Sequence, residues 1–113
     1  MSDRKFILEE ICNKFVRDEF EFSKHAVDQS ILRQIKVYEI KEAVANGQLI
    51  EDYPTDKYGP SCLICGLTQT RRPIHIQCSY PSRALIKIIT LYEPDPTRWN
   101  EDFTIRRKSN HDE

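Results

Sequence analysis

The sequence lacks any apolar run near the ~20 residues that a membrane-crossing helix needs, so no membrane partner is expected. Residues 1 to 22 alternate charge with isolated apolar side chains. That pattern has no unbroken apolar centre of a secretory signal, and a cytoplasmic location is expected. Internal repeats and low-complexity tracts are also missing. At 113 residues the chain has no room for a cofactor-binding domain beside its own core, and no cofactor is expected. A net charge of -1 gives no large positive surplus, which disfavours indiscriminate binding to DNA or membrane. The most informative absence is local: from Ser61 to Tyr92 there is no acidic residue. That stretch carries Arg71, Arg72, His75, Arg83, Lys87, Thr90 and Tyr92, side chains suited to gripping or protonating a phosphate ester. It points to an anion site, most simply for a nucleic-acid backbone.

Charge is divided along the chain. Residues 1 to 60 hold nine Lys/Arg against twelve Asp/Glu, and residues 61 to 113 hold eight against six. The acidic half is expected to face solvent and the basic half the ligand. Residues 1 to 108 read as one α+β domain, with 109 to 113 a disordered tail.

Phe6, Ile7, Glu10, Ile11, Lys14 and Phe15 carry the three-and-four spacing of an amphipathic helix. Ser23 is placed to N-cap a second helix running to about Gln34, with Val27, Ile31 and Ile35 as its buried stripe. A third fits Val37 to Asn46, stopped by a left-handed Asn46-Gly47 turn. The period then changes. Leu49 to Tyr53, Cys62 to Leu67, Ile74 to Cys78 and Leu85 to Tyr92 are β-branched and apolar, bounded by turn residues, and predict four strands. Their short links predict a mostly antiparallel sheet with two to three helices packed on one face. Beyond Tyr92, Pro94 and Pro96 end the strand, and a turn or short helix should lay Trp99 and Phe103 back on the core.

Three constellations carry chemistry. His25, Gln29 and Arg33 recur every four residues along the second helix, as a solvated face or as a stripe that borders the basic cleft. In the third strand, alternation turns His75 away from Ile74 and Ile76 and onto the sheet's open face, near Arg71 or Arg72. There it is either an ordinary exposed histidine or a proton donor and acceptor near neutrality. No carboxylate in this stretch is available to orient it. In the last strand Thr90 and Tyr92 share a face, while regular alternation puts Lys87 on the other. Thr90 and Tyr92 either pair with protein groups or meet a ligand.

A rival set is Cys62, Cys65, His75 and Cys78, two pairs of soft ligands each with two intervening residues, as in a tetrahedral zinc site. In an extended strand, however, positions three apart face opposite ways and lie about 10 Å from each other. The thiols therefore read either as reduced core fillers, as Cys12 does, or as ligands on a broken strand.

The runs Phe22 to Ile35, Glu42 to Tyr53, Arg72 to His75 and Ile89 to Pro94 resemble the Domain of Unknown Function 4258 family. The resemblance implies a RelE-like fold and a metal-independent ribonuclease, the toxin half of a toxin-antitoxin pair. It also implies an antitoxin partner of zinc-finger type, with RNA as substrate. It maps recurrent polar positions onto His25, Arg33, Arg72, His75, Thr90 and Tyr92. The expected roles are His75 as general acid or base, Arg72 as phosphate holder, Tyr92 and Thr90 as positioning groups, and His25 as a second proton-transfer group. Arg33, Arg71 and Lys87 would contact the strand. A non-catalytic RNA- or protein-binding module is one alternative, and a small zinc-binding regulator using Cys62, Cys65, His75 and Cys78 is another. The whole reading requires His75 and Arg72 to converge in one accessible pocket.

Overall fold

The computed structural model describes residues 3–108, so the tail assigned to 109 to 113 lies outside the described residues. The order is α1 (Asp3–Val16), β1 (Phe20–Phe22), α2 (Lys24–Leu32), α3 (Val37–Ala45), β2 (Gln48–Tyr53), β3 (Ser61–Leu67), β4 (Pro73–Ser79) and β5 (Ile86–Tyr92). The α+β class with three helices agrees with the periodicity. The expected count of four strands is corrected to five, in the order β1-β5-β4-β3-β2. The additional strand, Phe20–Phe22, is too short to show a period of two. It adds to the edge of β5 in parallel, whereas every other pairing is antiparallel.

One face of the sheet is apolar and lies under the helices. Cys62 and Ile64 from β3, Ile74, Ile76 and Cys78 from β4, and Ile86, Ile88 and Leu91 from β5 are fully buried with Ile11, Ile40, Ala43 and Val44 from the helices. Helix α3 approaches β3 so closely that a Cβ on Gly66 would stand 1.8 Å from the Ala43 carbonyl oxygen. The side chain is missing there because the helix backbone occupies its place. Gly47 serves the same end, and it is not left-handed as the sequence suggested. Asn46 caps α3 at φ -113, while a Cβ on Gly47 would meet Ala43 O and Ile64 Cγ2 at 2.8 Å.

Ser23 caps α2 as expected: its Oγ accepts from the Ala26 amide at 3.0 Å and donates to the Ile89 carbonyl at 2.9 Å, fixing the helix to β5. The buried stripe differs. Ala26 and Ile35 are buried, but Val27 and Ile31 are exposed. Helix α2 ends at Leu32 and Gln34 takes φ +55, so Ile35 enters the core from the link and the helical spacing no longer relates it to Ile31.

A break in β5 decides the other face. Gln77 pairs with Thr90 but Cys78 pairs with Ile88, leaving Ile89 as the extra residue of a β-bulge. Regular alternation put Lys87 opposite Thr90 and Tyr92. The bulge reverses the parity, and Lys87, between the buried Ile86 and Ile88, shares the open face with both.

Candidate functional site

The open face is mostly polar where the helical face is apolar. It carries Glu51 and Tyr53 from β2, Ser61, the buried Leu63 and Cys65 from β3, His75 and Gln77 from β4, and Lys87, Thr90 and Tyr92 from β5, placed by the pairing registers. The segment 94–108 lies across part of this face as a strap. Asp95 begins it by accepting from the Thr97 amide and hydroxyl, both at 2.8 Å. An isolated bridge joins Trp99 to Arg106. Trp99 is buried, as the sequence suggested.

The strap corrects the expectation for His75. The imidazole does face away from the helices, but it is completely buried beneath the strap. Its ring stands edge-on to Trp99, with centroids 4.4 Å apart, and to Tyr92 at 5.3 Å. Nε2 lies 2.8 Å from the Phe103 carbonyl oxygen. A carbonyl only accepts, so Nε2 carries the proton. The lone pair of Nδ1 is then turned towards the Tyr92 hydroxyl, 3.3 Å away. Phe103 presents its carbonyl from φ +64, a left-handed conformation that bulky residues rarely adopt. Asn100 holds that turn, its side chain accepting from the amides of Thr104 at 2.9 Å and Ile105 at 3.1 Å.

Burial pushes the His75 pKa below its ordinary value, although the Phe103 carbonyl and the charge of Glu51 oppose this. The ring is therefore neutral at pH 7. Burial also raises the Tyr92 hydroxyl, which keeps its proton. These two groups and the carbonyl form a line: phenol O–H to Nδ1, and Nε2–H to a fixed backbone oxygen.

Beside Tyr92 a cleft of about 340 Å³ is lined by Arg33, Arg98, Arg106 and Trp99, together with Glu93 and Asp95. The Arg33 Nε–H donates to Gln29 Oε1 at 2.7 Å, so the polar stripe of α2 does border this cleft at its C-terminal end. Arg106 lies over the Trp99 ring at 4.7 Å and reaches both carboxylate oxygens of Glu51, at 2.7 and 3.1 Å. Burial of Glu51 is outweighed by hydrogen bonds from Arg106 and Tyr53, which hold its carboxyl below the usual range. The paired Tyr53 hydroxyl is pushed up to about 12, by burial first and then by Glu51.

Arg72 is elsewhere. Its parity places it on the helical side of β4, opposite His75. Nη1 contacts both Glu39 oxygens at 3.2 Å and the Gln34 carbonyl at 3.0 Å, Nη2 donates to the Arg33 carbonyl at 2.9 Å, and Nε to Glu93 at 3.3 Å. It clamps the α2–α3 link to the end of the sheet, and the expected pocket shared by Arg72 and His75 is not formed. Arg71, at φ +69, lines a different hollow with Cys65, Asp102 and Phe103. His25 is exposed near the start of α2, away from the Tyr92 cleft. Thr90 is half-buried on the open face opposite Gln77. The acid-free stretch is also not acid-free in space. Glu39 and Glu93 meet Arg72, and Glu21 lies 4.0 Å from Arg83.

The zinc set is divided by the sheet. Cys62 and Cys78 face each other across β3 and β4 on the helical side, while Cys65 faces His75 on the open side. One tetrahedral ion needs all four ligands within about 2.3 Å. The hydrogen bond with the neighbouring Cys62, and then burial, push the Cys78 thiol well above its ordinary range, and burial raises Cys65 to about 11. Both behave as core thiols.

The sequence reading missed Arg98 and Arg106 and gave Trp99 only a packing role. Each lies in the strap, and its nearness to Tyr92 comes from chain reversal after Pro96. No helix among the described residues is long and apolar enough to cross a membrane. No curated protein and no solved structure matches the chain. A family model matches residues 22–93, from the end of β1 to the residue after β5. The strap follows that segment, so the imidazole, the phenol and Arg33 fall inside the matched region and the two strap arginines outside it. With that match across most of its length, the chain belongs to the Domain of Unknown Function 4258 family.

Proposed function

We propose that this chain is a RelE-like, metal-independent endoribonuclease of the cytoplasm, the toxin half of a pair whose other half is an antitoxin protein. The observation that carries the reading is Tyr92, whose hydroxyl is backed by the neutral His75 and which lines a cleft with three guanidinium groups. Arg33, Arg98 and Arg106 would hold one phosphate of the RNA and stabilise the charge that builds on it. The ribose 2′-hydroxyl attacks that phosphorus. Its proton passes to the Tyr92 oxygen as the phenol proton moves to His75 Nδ1, and the Phe103 carbonyl supports the imidazolium through Nε2–H. The bond to the 5′-oxygen breaks, that oxygen takes the proton back along the same path, and a 2′,3′-cyclic phosphate remains. At 3.3 Å the phenol–imidazole contact is long, as catalytic hydrogen bonds often are without substrate.

Roles shift accordingly. Tyr92 touches the substrate, His75 acts through it, and Arg72 is a clamp. The exposed Ile31, Leu32, Val37 and Tyr38 give a partner protein an apolar surface. The test is RNA cleavage in EDTA. Tyr92→Phe and His75→Gln should each lower the rate at least ~100-fold with circular dichroism unchanged. A wild type that cleaves nothing, or a Tyr92→Phe variant as fast as wild type, rejects the nuclease.

The complete burial of His75 favours a second reading, a module that binds RNA without chemistry. It predicts salt-dependent association that Arg98→Ala weakens, and no turnover.

A further inference from the structure

The other end of β5 holds a second hollow, of about 290 Å³, between the β2–β3 loop and the β4–β5 turn. That is near the lower bound of small-molecule pockets, roughly 300 Å³, and suits one small group. Its lining combines Tyr58, Gly59 and Pro60 of the β2–β3 loop with Arg83, Lys87 and Ser79, while Tyr80, which also borders it, packs against the core and donates its hydroxyl to Asp52. Asp56 is the one carboxylate in the lining, and it is engaged, accepting from the Ser61 hydroxyl at 3.2 Å. Among the described residues the one carboxylate within 4 Å of Arg83 is Glu21, at 4.0 Å, which also pairs in register with Lys87 across β1 and β5. Lys87 has no carboxylate within 4 Å among the described residues. Tyr58 is 82% exposed, a large aromatic ring left in solvent with the Lys57 ammonium 5.1 Å from its centroid. An exposed aromatic ring beside two cations is what a stacked base and its phosphate require.

The bulge joins the two hollows. Because it turns Lys87 to the face that bears Thr90 and Tyr92, a strand laid along the open side of β5 meets both, about 15 Å apart at ~3.3 Å per residue. We propose that the second hollow is a subsite for one nucleotide of a single-stranded RNA, its base against Tyr58 and its phosphate on Lys87 and Arg83. This rests on RNA being the molecule that the Tyr92 cleft takes. It extends that reading from one phosphate to a short bound segment with a second anchor.

The experiment measures binding, so that it stands whether or not the RNA is cut. Full-length Tyr92→Phe protein is titrated against a fluorescein-labelled single-stranded RNA oligonucleotide over a range of salt. Adding Arg83→Ala and Lys87→Ala together should weaken binding at least tenfold and flatten the plot of log K against log salt by about 0.7, the value for one phosphate contact. Tyr58→Ala should weaken it about tenfold with the salt slope unchanged, since stacking releases no counterions. In an amide NMR titration with adenosine monophosphate, Gly59, Tyr80 and Lys87 should shift, and inorganic phosphate should shift Lys87 more than Gly59. Binding and slope unaltered in the double variant, or shifts confined to the Arg98–Arg106 cleft, overturn the subsite. Wild type that fails to cut RNA while these binding losses appear would remove the nuclease and leave the subsite in place.

Discussion

The two faces of the sheet are built from the same strands and held in different ways. On the helical face isoleucines, leucine and thiols meet three helices, and burial there is complete and continuous. On the open face the cover is a single strap that has no regular helix or strand of its own among the described residues. It is secured by an indole against an imidazole, one carbonyl and one two-point ion pair. Apolar contact on the first face is non-directional and tolerates small shifts. Hydrogen bonds on the second are directional, so they fix which nitrogen of His75 faces Tyr92. The comparison teaches that stability is concentrated where the sheet is uniform, and chemistry where polar groups are buried with specific partners.

Three experiments would break or sharpen that contrast. The largest effect should come from the helical face: Ile76→Ala, which opens a cavity between sheet and helices, should cost ~2–5 kcal/mol in urea unfolding. A cost below ~1 kcal/mol would mean that this face is not the main stabilising layer. Next is Arg72→Ala, which removes the clamp on two carbonyls and leaves the half-buried Glu39 without its cation. Hydrogen bonds to charged groups contribute ~1.5–3 kcal/mol each, but this site is partly solvated, so a loss of about 2 kcal/mol is expected. Arg72→Lys should rescue little, because one ammonium cannot span that set of acceptors. RNA affinity should follow the folded fraction alone. A specific loss of affinity would return Arg72 to the substrate.

The smallest effect concerns the open face and pH. His75 has a lowered pKa in the folded chain, so below ~6.5 the unfolded chain binds more protons. Its contribution is fully present above that value and declines as pH falls towards the folded pKa, by at most ~1.4 kcal/mol per pH unit. Thermal melts from pH 8 to pH 5 should show this loss, and His75→Gln should flatten it. Equal pH profiles for the two proteins would show that burial of the ring leaves its protonation unaffected.

Local pattern carried most of the framework. The three helices, the four longer strands, the Ser23 cap and the return of Trp99 to the core were legible because each depends on spacing or capping within a few residues. The site was less legible, and each difference has a cause at longer range. The clamp role of Arg72 depends on Glu39 and on carbonyls more than thirty residues away. Burial of His75 depends on Phe103, and no periodicity in β4 reports a strap that crosses from outside it. Strict alternation assigns Lys87 to the wrong face because it assumes a regular ladder, and the trace of the extra residue is only that the polar positions pass from odd at Lys87 to even at Thr90 and Tyr92. Arg33 was legible through its stripe with Gln29, and Tyr92 as the polar exception in an apolar strand.

That extra residue has a consequence for how the strand tolerates change. Which way the ammonium at position 87 points is set by counting, not by side-chain chemistry, so substitutions along the strand should leave its orientation alone. Deleting Ile89 would leave a regular ladder with every other residue on its present face, whereas pairing Ile89 in strict alternation would drive a cation under the helices and turn Ile86 and Ile88 out into water.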